Sequence, residues 1–209
     1  MKKSLLLFIS MSIGMIAQAQ FTTKQVYTNP DLKKAMKDYK VIAILPVGTQ
    51  LSFKSQVPYL NERNQASERI NTGLANQSRI YSYLLPRSNR MKVEIQDIEK
   101  TNLLLLKSEM SARPDQYTKE EIAKILGVDA VLSGFYESDA FLTEEQVARD
   151  STSRRIPRIF TSVKNVLTLT LYDGQTGKQM WRYYDYQTQS SYISDDLIEG
   201  AVRNLPFIQ

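Results

Sequence analysis

The side chains that most often perform covalent chemistry are missing from this 209-residue chain, which contains no histidine and no cysteine. A Ser-His-Asp triad, a histidine metal ligand, a thiol nucleophile and an iron–sulfur cluster are therefore excluded. Its eight glycines form neither a Walker loop nor a dinucleotide fingerprint. Carboxylates, lysines, tyrosines and serines remain, and three acidic arrangements merit weighing. Asp129 could act as a general base beside Ser133, but a polar residue at a helix-to-strand junction accounts for it better. Asp195 and Asp196 could be paired acids, yet adjacent helical residues point apart and both suit the positive end of a helix dipole. Asp173 to Gly177 has some look of a calcium loop without the further acidic ligands, so a turn is expected. We expect no catalytic residue, no metal and no cofactor.

Two features suit binding instead. Tyr172, Trp181, Tyr183, Tyr184 and Tyr186 crowd one predicted hairpin, and Tyr and Trp supply large contact area at modest entropy cost. Strand alternation sends about half of them inward. Tyr172, Trp181, Tyr184 and Tyr186 are the aromatic candidates. The second feature is the polar run carrying Arg149, Arg154, Arg155 and Arg158. It could dock an acidic protein face or anionic lipid headgroups; the plainer reading is a solvated loop.

The elements that must position these residues follow from pattern. Phe21 to Thr28 reads as an extended leader, and Asn29-Pro30-Asp31 opens a short helix to about Asp38. Val41 to Leu45 is a continuous apolar run ended by Pro46, as in a strand covered on both faces. From Asn61 to Leu85, Ala66, Ile70, Leu74, Tyr81 and Leu84 recur at helical spacing, interrupted by Gln77, and Pro86 ends the helix. Met91, Val93 and Ile95 alternate as a short strand. Ile98 to Met110 predicts a helix, although its four leucines also suit a strand. Thr118 and Glu121 form a capping box, Gly127 a stop, and Val128 to Phe135 a strand. Val163 to Tyr172 and Met180 to Gln189 form an antiparallel hairpin, with Trp181 and Tyr183 on one face and Met180, Tyr184 and Tyr186 on the other. Ser194-Asp195-Asp196 caps a closing helix through Val202. The expected fold is α/β: a mixed sheet of about five strands, early parallel βαβ units, a C-terminal antiparallel hairpin and helices packed on the sheet.

Met1-Lys2-Lys3, the apolar run Leu5 to Ile16 and Ala17-Gln18-Ala19 predict a signal peptide over residues 1–19, cleaved before Gln20. An N-terminal leader then occupies 20–39 and a single domain 40–209, with a polar inserted loop at 137–158. The precursor carries a net charge of +5. Loss of Lys2 and Lys3 leaves 25 basic against 22 acidic residues, or +3. Charges of both signs spread along the chain, so nucleic acid is not an expected partner. No later run is long and apolar enough to span a membrane as a helix. Without cysteine, stability must come from the core.

Three segments in order, Val41-Ile42-Ala43-Ile44-Leu45-Pro46, Leu126-Gly127-Val128-Asp129-Ala130-Val131-Leu132-Ser133-Gly134 and Leu169 to Trp181 with Asp173-Gly174-Gln175-Thr176-Gly177-Lys178 inside it, carry a resemblance. They resemble the envelope family that includes curli-secretion-channel lipoproteins, lipoprotein activators of penicillin-binding proteins and the amino-terminal domain of the Tol-system propeller protein. The likeness spans residues 41 to 181. It implies a compact α/β domain of the cell envelope that binds other proteins. Two departures stand out: no lipobox cysteine follows the signal, and Glu137 to Pro157 lacks the alternating apolar face of a membrane-inserted hairpin. The expectation is a non-enzymatic periplasmic or secreted protein that binds envelope proteins as adaptor or assembly factor, with self-association possible. The alternative is a small-ligand or glycan-binding module using the aromatic hairpin.

Overall fold

The computed structural model describes residues 23–53, 62–108, 110, 116–141, 162–189 and 195–208. The predicted signal peptide, Ser194 and the arginines at 149, 154, 155 and 158 lie outside them. Among the described residues the fold is mixed α/β, with a seven-stranded sheet and five helices. The strands are β1 (Gln25–Thr28), β2 (Val41–Ile44), β3 (Gly48–Phe53), β4 (Glu94–Ile95), β5 (Ala130–Phe141), β6 (Ser162–Asp173) and β7 (Gln179–Gln189). The helices are α1 (Leu32–Ala35), α2 (Glu62–Leu84), α3 (Ile98–Lys107), α4 (Lys119–Leu126) and α5 (Asp195–Arg203), with a 3₁₀ segment at Leu85–Arg90.

The sheet runs β1-β7-β6-β5-β2-β4, and β3 also pairs with β5. Pairings of β2 with β4 and β5, and of β3 with β5, are parallel; β5–β6, β6–β7 and β1–β7 are antiparallel. Two strands exceed the expected five: the leader pairs as β1 on β7, and the chain after Pro46 re-enters the sheet as β3. Between β2 and β3 the register along β5 slips by one residue, from Ile44 opposite Leu132 to Gly48 opposite Phe135. Leu45-Pro46-Val47 absorbs the extra residue as a bulge-like break, where the missing proline N–H costs no ladder bond.

Helix boundaries follow local chemistry. The predicted capping box is present, with Glu121 N–H donating to Thr118 Oγ1 at 3.3 Å and Thr118 N–H to Glu121 Oε2 at 2.8 Å. Gly127 ends α4 in the left-handed region at φ 67°, which only glycine adopts cheaply. Asp97 caps α3 by accepting from Glu99 and Lys100 N–H.

Two cores flank the sheet. The inner one gathers Ile42, Ile44, Leu132, Leu167, Leu169, Leu171, Trp181 and Tyr183 under α2 and α5. The outer one gathers Ala43, Leu45, Val131, Ile122, Leu126 and Leu105 under α3 and α4. Three expectations change in detail. The face that α2 buries carries Gly73, Asn76, Gln77, Ile80 and Leu84, whereas Ile70 and Leu74 are 64% and 37% exposed. A polar anchor and a close backbone approach, rather than the apolar stripe, set the rotation of this helix. Gln77 donates to the Ile44 carbonyl and pairs with Asn102. The strand expected over Met91 to Ile95 shrinks to Glu94–Ile95, with Met91 in an isolated bridge to Ile208. Met180 shares the inner core with Trp181 instead of facing away, because the β6–β7 register shifts between Leu171 and Tyr172. The part of the expected polar loop from Glu137 to Phe141 is strand, the second half of β5.

Candidate binding face

The sequence candidates separate by strand parity. On β7, Trp181 and Tyr183 turn into the inner core, only 2% and 1% exposed. Their rings stack with centroids 6.1 Å apart, and Tyr183 donates its hydroxyl to Asp185. Burial, together with the hydrogen bond to the Asp185 carboxylate, raises the Tyr183 phenol. Trp181 is therefore a core residue with no surface to offer a partner. Tyr172 lies on the outer face, half-buried against the outer core with Lys119 over its ring. Burial lowers the Lys119 ammonium from its ordinary value.

Tyr184 and Tyr186 lie on that same outer face, beyond the end covered by α3 and α4. Pairing registers place Gln25, Tyr184, Thr168, Phe135 and Gly48 in one row across five strands. One neighbouring row runs Tyr27, Arg182, Thr170, Ser133, and the other Tyr186, Val166, Glu137, Gln50. Tyr27 is 48% and Phe135 41% exposed, and Tyr184 and Tyr186 are half-buried. Tyr184 and Tyr186 meet at 6.5 Å with their planes tilted by 60°, and Lys164 Nζ stands 4.9 Å from the Tyr186 ring centroid. Phe135 lies against the Gly48 backbone; a Cβ there would fall 2.8 Å from its ring. The result is an aromatic face flanked by Lys164 and Arg182. Phe135, Tyr27, Lys164 and Arg182 did not figure among the sequence candidates. The signal for Phe135 was present: it sits between Ser133 and Glu137, an aromatic on the polar parity of its strand.

Two of the acids weighed for catalysis, Asp129 and Asp173, hold the fold together. Asp129 accepts from Lys40 N–H at 2.7 Å and Val41 N–H at 2.9 Å, fixing the start of β2. Asp173 Oδ1 accepts from Gln175 N–H, Thr176 N–H and the Thr176 hydroxyl, while Oδ2 accepts from Tyr39. Burial pushes the Asp173 carboxyl up, but these hydrogen bonds outweigh it and hold the group below its ordinary value. Asp195 lies 3.7 Å from Arg79 in the first turn of α5. Among the described residues no group of three or more acidic side chains gathers as metal ligands. No described helix is long and apolar enough to cross a membrane.

No family model and no curated protein matches the chain. Solved structures do. A lipoprotein of Neisseria meningitidis, GNA1162, is 16% identical with a TM-score of 0.48, covering 78% of this chain and 92% of that one. PelC of Paraburkholderia phytofirmans, solved as a dodecamer, is 16% identical with a TM-score of 0.40, covering 88% and 91%. The LpoB C-terminal domain of Salmonella enterica is 16% identical with a TM-score of 0.34, covering 78% and 94%. At 16% identity and TM-scores below 0.5, these likenesses assign no function to this chain.

Proposed function

We propose that the mature chain is a non-enzymatic periplasmic or secreted envelope protein that binds other envelope proteins, as adaptor or assembly factor, through the outer face of its sheet. The observation that carries this reading is the cross-strand row Tyr184–Thr168–Phe135, joined by Tyr27 and Tyr186 and flanked by Lys164 and Arg182. Aromatic side chains with arginine are what protein interfaces concentrate at their energetic centre. A glycan platform would present a ring face for stacking, but Lys164 stands over Tyr186 and the Tyr184 ring is tilted against it. The structural tasks of Asp129 and Asp173 support a role without catalysis.

Co-purification from envelope extracts of the source bacterium tests the reading. The wild-type chain should retain a specific envelope protein, and the double variant Tyr184→Ala/Tyr186→Ala should lose it while keeping its melting temperature within a few degrees. Equal capture by the variant would remove this face from the proposal. Retention on peptidoglycan or polysaccharide alone would replace the reading with the glycan module, and substrate turnover would replace it with an enzyme.

A further inference from the structure

The strand β1 closes one end of the sheet, and its outer edge has backbone geometry that matches a second copy of itself. Among the described residues β1 pairs only with β7. Asn29 N–H donates to the Met180 carbonyl at 2.8 Å, and the register continues from Thr28 opposite Trp181 to Gln25 opposite Tyr184. In an antiparallel ladder alternate residues turn their N–H and C=O to the partner. Gln25 and Tyr27 therefore bond to β7, and Lys24, Val26 and Thr28 turn their backbone groups to the open side. All four residues of β1 are exposed, with Val26 at 47%. No proline or bulge interrupts the strand, which is four residues long with Lys24 at its start.

We infer that two copies of this chain pair β1 to β1, antiparallel, about a two-fold axis midway between the two Val26 residues. This register is the one in which every outward backbone group meets its complement. Val26 faces the partner's Val26, and Lys24 faces the partner's Thr28, so the two lysines never oppose each other. A two-fold contact of this kind is self-complementary and closed, which stops growth at a dimer. On the outer face Gln25 comes beside the partner's Tyr27. The row Phe135–Thr168–Tyr184–Gln25 then continues into the partner's Tyr27 and Arg182, joining two aromatic faces into one. A target carrying two matching epitopes would gain avidity from this arrangement without any new contact. The pairing does not depend on what the aromatic face captures.

The absence of cysteine makes the register directly testable. In a hydrogen-bonded antiparallel pair the Cα atoms stand about 5.5 Å apart, inside the range that a disulfide spans. Purified mature Val26→Cys should therefore convert largely to a disulfide-linked dimer under mild oxidation. Tyr27→Cys, which meets the partner's Gln25 and not its own counterpart, should link at least several-fold less. Sedimentation equilibrium of the wild-type chain should show mass rising towards twice the monomer with concentration. Val26→Lys, which puts two like charges on the axis at an exposed position, should stay monomeric with an unchanged melting curve. A wild-type monomer at every concentration, equal linking by the two cysteine variants, or undiminished dimerisation of Val26→Lys would each overturn the inference.

Discussion

Gly73 of α2 packs directly on Val47, the last residue before β3: Val47 N–H donates to the Gly73 carbonyl at 3.3 Å. A Cβ at position 73 would lie 2.2 Å from the Val47 oxygen. The obstacle is backbone, so a side chain cannot be accommodated by a rotamer change. Gly73→Ala should destabilise the protein by about 1–3 kcal/mol, in the range of overpacking, despite the better helix propensity of alanine. Thermal melting checks this; a rise in melting temperature would mean that α2 is not held against the strand here.

Trp181 and Tyr184 are three residues apart on one strand and should respond in opposite ways. Trp181→Ala removes a ring that is 2% exposed and should cost about 3–5 kcal/mol of stability, read by denaturant unfolding. Tyr184→Ala should leave unfolding nearly unchanged and instead weaken partner retention about tenfold or more. The sign of each effect follows from which face of the sheet the side chain occupies.

Asp129 should behave as a structural staple. Asp129→Ala leaves the Lys40 and Val41 N–H groups without their acceptor and should cost about 1–3 kcal/mol. Asp129→Asn, which keeps an acceptor oxygen, should recover most of that stability. Chemical denaturation of the pair measures both; equal losses would argue that charge rather than hydrogen bonding is what the site needs.

Asp173 should contribute to acid sensitivity. Its folded carboxyl is held below the ordinary value of 3.8, so the native state favours the ionised form. The associated stability is fully present above that value and is lost as pH falls through the lower folded value. Stability should therefore drop as pH falls below about 4, and Asp173→Asn should flatten that part of the profile while lowering stability at neutral pH. A variant with the wild-type acid slope would assign the loss to other carboxylates.

Periodicity makes much of the framework legible: the continuous apolar run of β2, the capping box of α4, the Gly127 stop and the β6–β7 hairpin all stand where local chemistry puts them. Non-local effects escaped. Nothing in Gln25 to Thr28 signals that the leader pairs with β7, because such pairing is settled by a strand more than 150 positions away. The rotation of α2 is not legible in its pattern, because Ile70 and Leu74 look like a core stripe while the contacts that orient the helix come from a glycine and a glutamine. The candidate face was half legible. Alternation assigned Tyr184 and Tyr186 to one side and Trp181 with Tyr183 to the other, but the row to Phe135 exists only through pairing across β6.

The break at Leu45-Pro46-Val47 sets a rule for sequence drift in this protein. Inner-core residues before it carry even numbers, Ile42 and Ile44; from its last residue onward they carry odd numbers, Val47 and Leu51. One residue gained or lost there would turn Leu51 out and its neighbours in, inverting β3 against an unchanged β5. Relatives should accept insertions and deletions elsewhere long before they accept one between Ile44 and Gly48. Proline there need not be kept, but the length of the step should be.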